Sequence, residues 1–510
     1  MVSQSLLAEA HMTSRSVLVS VAALAATAAS LRQPAGAGRL LAGDLWIQDV
    51  TLISAERPAP LAHAHVVVRD GRIASAGTEV PAGPARGIAV VSGAGKYLVP
   101  GLIDSHVHLA VVPGMSPEHE AAMAEAVSEY DRQLPRSYLY FGFTAVVDLN
   151  VVDRARLDRL RAADPGPAIF DCGNGLPLAN GYPMMYLPAA VRFDAYPNFL
   201  YDAAQPDGIP GRFTPANHSP DAAVDRVAAG GGRCVKAYYE RGFGPHAGKL
   251  PVPTVALMSA VRDASHRRKL PLLLHANSLE AHRFAAAVKA DAVVHGMWNW
   301  GSQAAGAELP PDVRAVLDAE REAGVAMMPT SRVIGGLADL LAPAFLDDAR
   351  LKHVLPARIL DWYRTTEGQS FAREIAGEAP PARLRALSAG QAQGQRAAAY
   401  FARSGGRILF GSDTPSAPTF ANPPGYNGYL ELRELESAGI SPRQLLAAAT
   451  TGNARFFGLA DYGTIEPGRI ASLLVLRADP LASTAAFDTI ETVIVKGRVL
   501  RREALSASSP

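Results

Sequence analysis

The sequence predicts an α/β fold, a (β/α)8 barrel carrying a small β-sandwich domain built from both chain ends, and three observations lead there. Between residues 98 and 460, short apolar runs alternate with longer stretches of helical composition, the pattern of a parallel sheet whose strands are joined by crossover helices. Metal-binding residue types stand at the ends of several of those runs, where a barrel would gather them on one face. Both flanks, 44–97 and 464–503, read instead as short strands with turns.

Taken in order, residues 1–37 read as a signal-peptide-like leader. Arg15 precedes the alanine-rich apolar run from Val17 to Ala29, and Ala26-Thr27-Ala28 or Ala35-Gly36-Ala37 could be the cleavage site. That run is too short to span a bilayer, which takes about 20 apolar residues. A periplasmic or secreted protein is therefore expected, with cytoplasmic retention as the alternative, and no membrane span is expected further on. Leu45–Ile47 and His65–Val68 are strand-like, and Asp70-Gly71 is a hairpin signal. Ile470–Leu476 and Thr492–Val495 answer them at the other end, with Lys496-Gly497 as a second turn.

The expected barrel strands are Leu98–Ile103, Thr144–Leu149, Ala168–Cys172, Arg233–Ala237, Pro271–His275, Ala292–His295, Val325–Met328 and Ile408–Phe410. Thr254–Arg268, Leu279–Val288 and Pro311–Glu322 have helical length and composition. The long connections 173–232 and 330–406 are expected to build a substrate pocket. Met327 and Met328 read as core. Cys172 and Cys234 are the two cysteines of the chain, too few for a disulfide framework or a thiolate metal site, and read as small buried residues. Lys+Arg 49 against Asp+Glu 48 gives no electrostatic footprint for nucleic acid. A small-molecule substrate is the expected partner, and a homo-oligomer is the default assembly.

The candidate chemistry lies at the strand ends. His106 and His108 follow the first strand, and residues two apart in extended chain point the same way, so both imidazoles can reach one cation. Lys236 closes the fourth strand, His275 the fifth, His295 the sixth and Asp413 the eighth. The ordered set is far more specific than any member, since a lone strand-end histidine or lysine is ordinarily structural. His63, His65, His119, His218, His246, His266, His282 and His353 have no such context.

With these residues, the approach Val99–His108, the stretch Ala447–Leu459 and the stretch Gly463–Leu476, the chain resembles the amidohydrolase superfamily. The branch is the one that includes imidazolonepropionase-like and Xaa-Pro dipeptidase-like enzymes. Ser472 stands where that last motif usually has aspartate. The resemblance implies a TIM barrel with two divalent metal ions, zinc being the natural choice for this N/O donor set. His106, His108 and Asp413 would hold one ion, His275 and His295 the other. Lys236, carboxylated to N6-carboxylysine, would bridge them.

It further implies hydrolysis of an amide or peptide bond, of carboxypeptidase, dipeptidase or N-acyl amino acid type. A water activated between the ions would be the nucleophile, with Asp413 moving its proton. Hydrolysis of a cyclic amide, lactone or ester, or a one-metal deaminase-like reaction, is the alternative. The one-metal enzymes carry a glutamate two or three residues after the fifth-strand histidine, where this chain has Asn277 and Ser278. Tyr238 and Tyr239 are candidates to polarise the scissile carbonyl, and Tyr182, Arg241, Arg332 and Tyr429 to contact substrate. Asn180, Tyr182 and Tyr429 occupy positions where dipeptidase-like relatives would have histidines. The loop Tyr182–Tyr186 suits apolar or aromatic groups.

Overall fold

The computed structural model describes residues 40–509 apart from 84–85, 206–207, 304–307 and 417. The leader expected over residues 1–37 lies outside the described residues. The first strands are β1 (Leu45–Leu52), β2 (Leu61–Arg69), β3 (Arg72–Gly77), β4 (Ala89–Ser92) and β5 (Tyr97–Pro100). Alternate side chains of β1 are buried, as expected of a sheet with one face on a core.

The barrel starts one residue beyond β5. Its strands β6 (Leu102–Val107), β7 (Phe143–Asp148) and β8 (Ala168–Asp171) pair in parallel. So do β9 (Val235–Tyr238), β10 (Leu272–His275), β11 (Ala292–Val294) and β12 (Ala326–Met328). Single parallel bridges join the two groups into a ring: Leu176 to Ala237, Met327 to Ile408, and Val107 to Thr414. The eighth lane, expected as a strand at Ile408–Phe410, is thus an irregular extended segment. Its backbone still bonds both neighbours, Leu409 N–H donating to the Met327 carbonyl (2.8 Å) and Asp413 N–H to the His106 carbonyl (2.7 Å). Gly411 is needed there, because a Cβ would lie 2.6 Å from that of His106.

Apart from β8, whose first three residues are half-buried, the barrel strands are buried because helices cover their outer faces. Ile103, Val147, Leu273, Val294 and Met328 fill the interior. The three expected helices form at Val255–Arg267, Leu279–Val288 and Pro311–Glu322. The Thr254 hydroxyl accepts from Leu257 N–H and that of Ser278 from Ala281 N–H, each satisfying an otherwise orphaned donor of the first turn.

β13 (Leu473–Leu476), β14 (Ile490–Val495) and β15 (Arg498–Arg501) return to the small domain. β13 pairs antiparallel with β5, giving the order β15-β14-β13-β5-β1-β2-β3, with β4 on β1. This one sheet folds back on itself until Ile73 N–H donates to the Arg469 carbonyl (2.9 Å), enclosing a core of Ile47, Val66, Leu98 and Val475. None of the described helices is long and apolar enough to cross a membrane.

One expectation is corrected. Cys172 and Cys234 are buried, but they are bonded to each other as a disulfide, with Cα atoms 4.8 Å apart. Arg233 N–H donates to the Asp171 carbonyl (2.8 Å), which sets the third and fourth lanes side by side at this point. That register, across 62 residues of sequence, is a tertiary property that cysteine counting does not reveal.

Candidate metal centre

Strand periodicity and the irregular eighth lane bring six side chains to one end of the barrel. His106 Nε2 and His108 Nε2 lie 3.1 and 2.9 Å from the same carboxylate oxygen, Oδ1 of Asp413. His295 lies on the other side, its Nδ1 3.8 Å from Asp413 Oδ2. Its Nε2 faces His275 Nδ1 at 2.8 Å. Lys236 enters the same space, and all six line one cavity of about 480 Å³. Among the described residues, His106, His295 and Asp413 place one ligand atom each within 4.8 Å of one another. Two of the six sit on uncommon backbone, His295 with φ 101° and Asp413 with φ 54°. Such strain persists only where the surrounding fold over-determines it, and it concentrates at functional sites.

The electrostatics suit cations. Burial, together with the charge of Lys236, holds His106 and His295 well below the usual imidazole range, leaving the neutral form that binds metals. His275 is lowered by burial too. At His108 burial also pulls downward, but the hydrogen bond and charge of Asp413 outweigh it and the net direction is up. Burial pushes the Lys236 ammonium down to about 7 against the opposing charge of Asp413. Its Nζ finds no hydrogen-bond partner among the described residues. Burying a primary amine unsatisfied costs several kcal/mol, so something outside the chain is the natural complement of this atom. Neutral imidazoles converging with a carboxylate are likewise a donor set that fits divalent ions.

Two supporting residues escaped the sequence. Thr330, itself at φ 44°, places Oγ1 2.8 Å from His295 Nδ1. Glu240 Oε2 lies 3.6 Å from His275 Nε2 and accepts from Asn277 Nδ2 at 2.6 Å. Thr330 and Glu240 thus flank one nitrogen of each histidine, while the other two, His295 Nε2 and His275 Nδ1, face each other; polar neighbours of this kind orient a ligating imidazole. Extending the two-residue alternation of Lys236 and Tyr238 reaches Glu240. Thr330 has no comparable signal.

Of the substrate candidates, Tyr182 and Tyr238 line the cavity with Tyr186 and Tyr196. The Tyr182 ring centroid is 4.7 Å from that of His275, and a Cβ at Gly175 would collide with the Tyr238 hydroxyl. Tyr239 is on the opposite face of its strand, packed on Phe284 and donating to Glu280 (2.7 Å), so its expected catalytic position is corrected. Arg241 is also taken up by Glu280 (2.9 Å), outside the lining. Arg332 is buried among Glu434 (2.7 Å), Asp339 (2.6 Å) and Asn427, where it locks the helix after the seventh strand rather than clamping substrate. Tyr429 stacks on Phe141 and does not reach the cavity.

Comparison with known proteins agrees with this geometry. The description "Amidohydrolase family" matches residues 97–500. The chain belongs to that family. As an amidohydrolase it is an enzyme acting on carbon–nitrogen bonds, and its barrel plus small sheet domain is the family fold. Imidazolonepropionase of Shewanella oneidensis is 35% identical over 91 residues, 17% of this chain and only 22% of the relative's length. Among solved structures, a Xaa-Pro dipeptidase with bound methionine superposes with a TM-score of 0.61 at 18% identity, covering 90% of this amidohydrolase and 100% of the other chain. Molinate hydrolase superposes at 0.63 and 19% identity, covering 92% and 97%. At those identities the structures testify to the shared fold alone.

Proposed function

We propose that this amidohydrolase hydrolyses an amide bond with two divalent metal ions, most naturally zinc, and with Lys236 carboxylated between them. The observation that carries the reading is the convergence of four histidines, Asp413 and a buried, unpartnered Lys236 on one cavity. An ammonium cannot ligate a cation, whereas a carbamate offers two anionic oxygens. His106, His108 and Asp413 would hold one ion, and His275 and His295 the other. When bound, such ions lower the pKa of water towards about 7 and polarise a carbonyl oxygen. The chain's own residues do the rest. Asp413 accepts the proton of the attacking water as its oxygen bonds to the carbonyl carbon. It delivers that proton to the nitrogen as the carbon–nitrogen bond breaks. Thr330 and Glu240 hold His295 and His275 in orientation. Burial keeps the Tyr182 and Tyr238 hydroxyls protonated, hence able to donate to a substrate oxygen. Molinate hydrolase and the Xaa-Pro dipeptidase, named for hydrolytic reactions, share the fold and support this class.

The test is metal removal. Activity on a panel of amides is expected to disappear on chelation and to return with zinc or manganese. Turnover by rigorously metal-free protein would overturn the reading.

We also infer export. A buried disulfide, Cys172–Cys234, is at home in an oxidising compartment and rare in the cytosol, and the segment from Arg15 to Ala29 has the order of a secretory leader. Expression of the full chain in a Gram-negative host is expected to place the activity in the periplasmic fraction. Recovery in the cytosol with two free thiols would refute export.

A further inference from the structure

Outside the metal-binding set, the described lining of the cavity carries no charged side chain to pair with a charged substrate. Lys236 is the single lysine or arginine among the described lining residues, and it lies at the floor with the histidines. Beyond the metal-binding set the polar side chains are Ser116, Asn150, Ser416 and the tyrosine hydroxyls, all uncharged. Val112, Met115, Leu187 and Pro418 supply much of the remaining wall. At the mouth, Tyr186 and Phe243 stack with ring centroids 4.9 Å apart, and Phe243 is half exposed.

The arginines of neighbouring segments lie outside the lining. Arg156 is taken up by Glu120 (2.8 Å) and Asp131 (2.7 Å), and Arg192 faces Met185 Sδ (2.7 Å) and the Leu187 carbonyl (3.4 Å). Arg241 and Arg332 have carboxylate partners of their own. A peptide or N-acyl amino acid brings a carboxylate that would enter these walls unpaired, at a cost of several kcal/mol. An aromatic group loses nothing there and gains ring contacts with the tyrosines. A cavity of about 480 Å³ accommodates a two-ring molecule.

We infer that the physiological substrate class is uncharged aromatic or alkyl amides, selected by the tyrosine-lined cavity against compounds with a free carboxylate. This rests on the hydrolytic reading above.

The test is a matched pair on the metal-loaded enzyme: N-benzoyl-2-phenylethylamine and N-benzoylphenylalanine, which share the scissile amide and differ by one carboxylate. The uncharged amide is expected to have a kcat/KM about 100-fold higher. If neither is cleaved, calorimetric Kd values for the same pair are expected to differ in the same direction. Val152→Arg, at an exposed position of the lining, is expected to narrow the gap about tenfold by supplying the missing cation. Equal or better use of the acid, or no binding of either compound, would overturn the inference. Preferential binding of the amide without turnover would sink the hydrolytic reading and leave the selectivity standing. Efficient cleavage of the acid would do the reverse.

Discussion

Lys236→Ala is expected to lower kcat/KM by roughly a thousandfold or more and to cut bound metal from about two ions per chain to one or fewer. The expected size follows from where the amine sits. Lys236 is 2% exposed, and its Nζ is without a hydrogen-bond partner among the described residues. No hydrogen bond of the described fold therefore depends on this amine, and removing an unsatisfied buried amine is expected to leave the melting temperature of metal-free protein unchanged or slightly raised. A large catalytic loss without a stability loss separates a ligand from a structural residue. The variant leaves a space lined by neutral imidazoles, so formate or acetate is expected to restore part of both metal content and rate by supplying the lost oxygens. One tightly bound ion in wild type and variant alike, with similar rates, would exclude the carbamate. It would favour a one-metal reaction on the same barrel.

The convergence of the candidate metal ligands on one cavity was legible because local geometry and chain order together constrain it. His106 and His108 face one way by strand alternation alone, and His275, His295 and Asp413 share their end of the barrel because every strand runs the same way. Legibility ended where position depends on packing between distant segments. Arg332 follows the seventh strand just as a substrate clamp would, yet Glu434 from a helix 102 residues on captures it. Tyr239 differs from Tyr238 by one residue, and the pleat sends it to the helix side. The eighth lane read as a strand from its apolar run, but Gly411 marks a close approach to His106 that distorts it. Thr330 orients His295 from the next lane, a relation that exists only after the barrel has closed.

Asp413→Asn is the second large effect, with kcat expected to fall about 10³- to 10⁴-fold at saturating zinc. Asparagine is nearly isosteric and, among non-glycine residues, one of those most tolerant of a left-handed backbone, so the φ of 54° at this position can be kept. What is lost is the anion that His106 and His108 both approach, and with it the proton acceptor. Asp413 would serve as both ligand and base, and the two roles leave different traces. Loss of a ligand alone would be repaired by excess metal and would affect all substrates alike. Loss of the proton carrier would survive metal saturation and would depend on the leaving group. An alkylamine must be protonated to depart, whereas a 4-nitroaniline departs with less help. The variant is therefore expected to lose about tenfold more activity on the alkyl amide than on the matching 4-nitroanilide. A kcat within tenfold of wild type at saturating zinc would remove Asp413 from the proton pathway. A uniform loss that excess zinc repairs would leave it as a ligand only.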